Sequence, residues 1–272
     1  MAELGIEKAS VFNLPPVEFV ELAARLGCRH ISAGLASFPY GQRYYPEYSL
    51  REDRALRRRM IDAMDAAGVS ISLAEGFVVR PGVDAVRYDK DLDIVCELGA
   101  PRINVVSMDD DLVRSFDQFA ALHAMAARRD LETTLEFAPC LAVCDLPIAL
   151  AAIEHVDDPR FRLLVDTMHL VRSGAGPKDL AALDPALIGY VQVSDALWTP
   201  RIEDYFEEAM CERMVPGEGE LGLSEVLAAL PADRVFGLEV PLRSRMTAGM
   251  GPEERLAPCV RAARSLLANL PA

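Results

Sequence analysis

Several features that would announce a particular chemistry are missing from this 272-residue chain. No stretch approaches the roughly 18 consecutive apolar residues that span a bilayer, so a membrane partner is not expected. The opening MAELGIEKASVFNLPP lacks the basic-then-apolar order of a secretion signal, and a soluble, cytoplasmic protein is predicted. The six cysteines (Cys28, Cys96, Cys140, Cys144, Cys211 and Cys259) form no C-x-x-C pair. Their apolar or helical surroundings fit reduced structural thiols. Positive charge is scarce, with 28 Lys and Arg against 42 Asp and Glu, for a net charge of −14. The phosphate backbone repels such a surface, which excludes nucleic acid as a partner. No Gly-x-Gly-x-x-Gly opens a helix after the first strand, and PGEGE lacks the Gly-Lys-Ser/Thr of a nucleotide loop. No Gly-x-Ser-x-Gly elbow is present either.

What is present is a regular alternation. Half the residues are apolar and about a quarter are charged, enough for a sizeable core. Short β-branched runs, apolar on both faces, recur at 4–10, 30–35, 70–75, 102–107, 132–137, 162–166, 188–195 and 235–240. Between them lie segments with a period near 3.6, at 15–27, 56–68, 90–99, 116–130, 145–156, 223–231 and 253–270, with a weaker one at 178–185. Gly27, Gly68 and Gly99 stand where a helix stops in the left-handed conformation. Eight strands with interleaved helices and no composition break predict an α/β chain, a single (β/α)8 TIM barrel over residues 1–272. Two connections, 36–53 and 196–220, exceed what a turn requires and leave strand C-terminal ends, where barrel enzymes build their sites. They are expected to cover a pocket, with Tyr40, Tyr44 and Tyr45 among its walls.

Four successive strand ends offer an oxygen: Glu136, Asp166, Gln192 and Glu239. Neighbouring strand ends converge on a barrel axis, and an inward charge there is costly unless paired or metal-bound. One divalent metal held by these four is therefore expected. Arg172 and Lys178 after His169, Arg213 before PGEGE and Arg243 after LEVP could hold an anionic substrate, because guanidinium matches carboxylate and phosphate. Glu75, ending the third strand, could add a polar contact.

LEFAP (135–139), VDTMHL (165–170), YVQVSD (190–195), PGEGEL (216–221) and LEVP (238–241) resemble the signature of the xylose isomerase-like barrel superfamily. It includes sugar phosphate isomerases/epimerases, ketose 3-epimerases, inosose and 3-dehydroshikimate dehydratases, and endonuclease IV. The resemblance implies carboxylate ligands at Glu136, Asp166 and Glu239. It also implies a substrate-oxygen contact at His169, in the D-x-x-H arrangement. The usual strand-seven His is replaced by Gln192, as in some dehydratases of the superfamily. The resulting all-oxygen set favours Mn²⁺ or Mg²⁺ over Zn²⁺. Four histidines are too few for the multi-zinc site of endonuclease IV.

The expected function is a metal-dependent sugar (phosphate) isomerase or epimerase acting on a hydroxy-carbonyl substrate through an enediolate. Glu136 and Glu239 would move the proton and His169 would assist. Substrate-binding candidates are His169, Arg172, Arg213, Arg243 and Glu75. The alternative is a dehydratase of the 3-dehydroshikimate or inosose type, with His169 as acid for the departing oxygen. The partner is a small sugar, polyol or cyclic hydroxy-ketone, with homodimerisation left open.

Overall fold

The computed structural model describes residues 3–38 and 44–270. Eight parallel strands close into a barrel in sequence order: β1 (Glu3–Ile6), β2 (His30–Gly34), β3 (Ser70–Val79), β4 (Arg102–Ser107), β5 (Glu132–Glu136), β6 (Phe161–Asp166), β7 (Ile188–Val193) and β8 (Val235–Leu238). The long crossover helices are α1 (Pro16–Arg25), α2 (Arg54–Ala67), α3 (Asp89–Glu97), α4 (Leu112–Ala127) and α5 (Leu146–Val156). Short ones follow: α6 (Thr167–Arg172), α7 (Pro177–Ala181), α8 (Tyr205–Cys211), α9 (Leu223–Ala228) and α10 (Arg243–Thr247). The series closes with α11 (Pro252–Ala268). Among the described residues no helix is long and apolar enough to cross a membrane.

The apolar faces of strands and helices form one continuous outer core, while Leu73, Leu164 and Tyr190 make a smaller cluster of their own. Helix starts are set by Asp side chains: Asp53, Asp111 and Asp145 accept from the backbone amides of Leu56, Arg114 and Ile148. Asp111 explains why α4 begins four residues before the periodic segment expected at 116. Gly68 closes α2 at φ +64°, as its position in the sequence implied.

Two strand ends depart from expectation by four residues, and both lie at the mouth of the barrel. The first strand, expected to reach residue 10, stops at Ile6. Beyond it the Lys8 amide bonds to the Ser32 hydroxyl, and Lys8–Val11 forms a 3₁₀ turn. The third strand, expected to end at 75, runs on to Val79. Its register against β4 shifts between Ala74 and Phe77, and Gly76 there has φ +101°. Such a bulge re-aims the side chains beside it, here Glu75.

Candidate active site

At the C-terminal ends of the strands lies a cavity of about 490 Å³. Its polar lining includes Glu75, Asn104, Glu136, His169, Arg213 and Glu239, with Arg80 beside them. Its apolar lining includes Phe38, Phe77, Val106, Met108, Leu141, Phe206 and Met210. The connection 196–220 contributes through α8 and Arg213, and the connection 36–53 through Phe38. Tyr44 instead stacks edge-on against Phe12 and Tyr45 packs on the outer core, while Tyr40 lies outside the described residues. Trp198 is exposed.

Each acidic side chain is placed by the strand that carries it. Glu136 ends β5 and accepts from Asn104 Nδ2 on β4 at 2.6 Å. Asp166 ends β6 and caps α6, accepting from the His169 amide at 2.9 Å. Its second oxygen accepts from Arg213 Nη1 at 2.6 Å, and Arg213 Nη2 lies 2.8 Å from Glu239 Oε2. Gln192 pairs in register with Asp166 on one side and Gly237 on the other.

Charge is unbalanced here. Five carboxyl groups (Glu7, Glu75, Glu136, Asp166 and Glu239) interact in this region with two cations, Lys8 and Arg213. Burial, reinforced by Asp166, pushes Glu136 up to about 8. Burial raises Glu239 well above the usual carboxylate range, against the pull of Arg213. Burial also opposes ionisation of Asp166, but Arg213 and His169 hold its carboxyl below the usual range. Burial pushes the His169 imidazole down to about 4, so it is neutral at pH 7. Arg213 Nη2, which can only donate, sits 3.4 Å from His169 Nε2. The ring proton therefore belongs on Nδ1, facing the Tyr205 hydroxyl at 2.7 Å.

A divalent cation suits this donor set. Glu136, His169 and Glu239 each place a ligand atom within 4.8 Å of the others. Gln192 Oε1 is a buried acceptor with no hydrogen-bond partner, and buried polar atoms are rarely left so. Carboxyl groups outnumber cations here, and a bound cation would favour the ionised form of those that burial keeps protonated. The geometric grouping includes His169 rather than Asp166, whose two oxygens are engaged by the His169 amide and by Arg213.

The basic residues singled out in the sequence separate. Arg213 reaches the centre of the site. Arg172 instead fastens the 196–220 connection, donating to Leu197 O at 2.5 Å and Glu208 Oε2 at 3.3 Å. Arg243 pairs with Glu207 at 2.7 Å, and Lys178 is exposed on α7. Glu75 lines the cavity, close enough to Glu7 and Lys8 for their charges to act on it. Asp195 accepts from the Gly217 amide at 2.9 Å and the Leu221 amide at 3.3 Å, so PGEGEL is a turn wrapped on that carboxylate. Cys140 lines the cavity and is exposed.

Besides Asn104, which donates to Glu136, three contributors are not evident in the sequence. Arg80 lines the cavity just past β3; its Nη1 contacts the Met108 sulfur at 3.2 Å, and it has no carboxylate partner among the described residues. Glu7 is wholly buried and bonded to Tyr190 and Gln192. Tyr205 orients His169. A charged pair, Glu7-Lys8, inside an apolar run was the one available signal for the second.

Comparison with known proteins agrees with this architecture. Residues 20–262 match the xylose isomerase-like TIM barrel family. An IolI protein structure with a bound zinc atom superposes with a TM-score of 0.82 at 15% identity, covering 99% of both chains. D-psicose 3-epimerase from Clostridium cellulolyticum H10, solved with D-tagatose, gives a TM-score of 0.74 at 13% identity, covering 97% of this chain and 99% of that one. The probable 3-DHS dehydratase AsbF from Bacillus anthracis gives 0.73 at 14%, covering 96% and 98%. No curated protein matches the sequence. At these identities the likeness carries the fold and leaves the reaction open.

Proposed function

The chain belongs to the xylose isomerase-like TIM barrel family, and from that premise we propose a metal-dependent enzyme that removes a proton beside a carbonyl. Its net reaction is isomerisation or epimerisation of a sugar or sugar phosphate. The observation that carries this reading is the convergence of Glu136, His169 and Glu239 on one cavity; Gln192, in register with Asp166, has a buried Oε1 without a hydrogen-bond partner among the described residues. Glu136, Asp166, Gln192 and Glu239 would hold Mn²⁺ or Mg²⁺, in keeping with a donor set of oxygens. When bound, the ion supplies Lewis-acid polarisation of the substrate carbonyl.

The remaining chemistry belongs to the chain. One of Glu136 and Glu239 takes the proton from the carbon beside the carbonyl. The other returns it, to the opposite face in epimerisation or to the neighbouring carbon in isomerisation. His169, neutral and with its proton turned toward Tyr205, would exchange the long 3.4 Å contact of Nε2 with Arg213 for a hydrogen bond accepted from a substrate hydroxyl. Arg213 steadies Asp166 and Glu239 and keeps both carboxylates oriented. The apolar wall of Phe38, Phe77 and Phe206 would seat the carbon framework of the substrate.

A second reading, dehydration of a cyclic hydroxy-ketone that bears an acid group, is favoured by Arg80. A guanidinium without a carboxylate partner among the described residues, beside an apolar wall, suits a ring with one carboxylate. A neutral His169 is a weak acid, so a carboxyl that has taken the proton is better placed to release it to the departing hydroxyl.

The test is NMR in D₂O of Mn²⁺-loaded protein with ketoses, ketose phosphates, inososes and dehydroshikimate. Deuterium entering recovered substrate or its epimer supports the first reading, and loss of water from a cyclic acid supports the second. Failure of every substrate class to exchange would overturn both.

A further inference from the structure

An amide is an ambiguous ligand. Its oxygen can bind a cation and its NH₂ cannot, yet the two ends have nearly the same shape. At Gln192, on β7 and 1% exposed, one end is assigned by a neighbour. Nε2 donates to Glu7 Oε2 at 3.4 Å, and Oε1 is left buried without a partner. In its ionised form, which a bound cation favours, Glu7 accepts and does not donate, so an amide turned the other way would then face acceptor with acceptor.

Glu7 is held in turn. The Tyr190 hydroxyl donates to its Oε1 at 2.8 Å, and Ser72 Oγ lies 2.9 Å from that hydroxyl. Room for the carboxyl exists because residue 237 has no side chain. A Cβ built on Gly237 would fall 1.6 Å from Glu7 Oε1. Gly237 is also the register partner of Gln192 across β7 and β8. Three strands thus combine to seat one carboxyl against one amide.

We infer that Glu7 is a positioning residue that fixes the Gln192 amide with its oxygen free for a divalent cation, an inference that rests on the metal reading above. Gly237 is part of the same device. Partners of this kind, which orient a ligand without touching the ion, typically change metal affinity by about 10- to 100-fold when removed.

The experiment is a double-mutant cycle on the full chain, stripped with chelator and titrated with Mn²⁺, read by the EPR signal of the free ion. The wild type is measured first; if it binds no Mn²⁺, the metal reading itself fails. If it binds, Glu7→Gln and Gln192→Met should each weaken binding, Glu7→Gln by about 10- to 100-fold. In the Gln192→Met background, with no amide to orient, Glu7→Gln should cost less than about twofold more. Unchanged affinity in Glu7→Gln overturns the inference. So does an equal loss in both backgrounds, which would mean that the charge of Glu7 acts on the ion directly. Circular dichroism establishes that each variant folds. Should Glu7→Gln fail to fold, the cycle is run with Gly237→Ala, whose added methyl displaces the Glu7 carboxyl, and the same two results overturn it.

Discussion

Glu132 and Glu136 are the same amino acid at the two ends of one strand, and they live under opposite rules. At the start of β5, Glu132 faces Arg102 Nε at 3.1 Å and Arg162 Nη2 at 2.5 Å. Burial opposes its charge, yet the two guanidinium groups hold its carboxyl below the usual range. At the end of β5, Glu136 meets Asn104 instead of an arginine, and burial with Asp166 pushes it up to about 8. The register of β4 and β5 sets both neighbours, pairing Arg102 with Glu132 and Asn104 with Thr134. One end of the barrel therefore neutralises its charge with side chains. The other leaves negative charge uncompensated, the condition a cation or a transferred proton can exploit.

The contrast can be broken most severely at the uncompensated end. Glu136→Gln and Glu239→Gln should each lower turnover by about 10²- to 10⁴-fold at saturating Mn²⁺, read as solvent-deuterium incorporation. Glu132→Gln should leave turnover unchanged. Recovery of most of the rate by excess metal in Glu239→Gln would make that residue a ligand only.

Next in size is Arg213, which stands between Asp166 and Glu239. Arg213→Met strands Asp166 and Glu239 without their partner, and should cost about 3–5 kcal/mol in urea unfolding of chelated protein. Mn²⁺ should restore more stability to this variant than it adds to the wild type. An Arg213→Met protein as stable as wild type without metal would show that the carboxylates do not need the guanidinium.

A smaller effect belongs to the balanced end. Glu132→Gln leaves Arg102 and Arg162 facing each other and should cost about 1–3 kcal/mol at pH 7. Because the folded-state pKa of Glu132 is depressed, its stabilisation is present above the ordinary carboxylate pKa and is lost as pH falls through the folded value. Variant and wild type should therefore converge in acid. A gap that persists there would point to packing rather than charge.

The smallest effect is a slope. Glu136 has a raised folded pKa, so its contribution is full below its unfolded value near 4.5 and is lost as pH rises through about 8. Glu7, at about 7, and Glu75, at about 8, have the same sign, also through burial. Thermal midpoints of chelated wild type should fall between pH 6.5 and 8, above the range in which His169 titrates. Glu136→Gln should make the decline shallower. Equal slopes would show that Glu136 keeps its charge without metal.

Local chemistry was legible in the sequence, and distant partnership was not. Gly68 announces the end of α2 because only a residue without Cβ takes φ +64° at no cost. Glu136, Asp166, Gln192 and Glu239 could be placed at strand ends from period and spacing alone. The first strand was read too long because an apolar run does not reveal that its Glu7-Lys8 pair leaves the ladder. Arg80 is not legible as a site residue because the sequence pattern ends β3 at 75, while the bulge at Glu75-Gly76 carries the strand four residues further. Arg172 and Arg243 sit in the expected segments, but carboxylates from the 196–220 connection reach them first.

By itself the sequence determined the alternation of strands and helices, the barrel it closes into, and the row of oxygen-bearing side chains along one rim. These follow from backbone periodicities of two and 3.6, which are local. Only the tertiary structure decided that Arg213 would stand between Asp166 and Glu239, and that Glu7 would meet Gln192 from 185 residues away. Closure sets β1 beside β8 and folds a long connection back over the mouth. Which charges then face each other depends on register and burial, which no local pattern encodes.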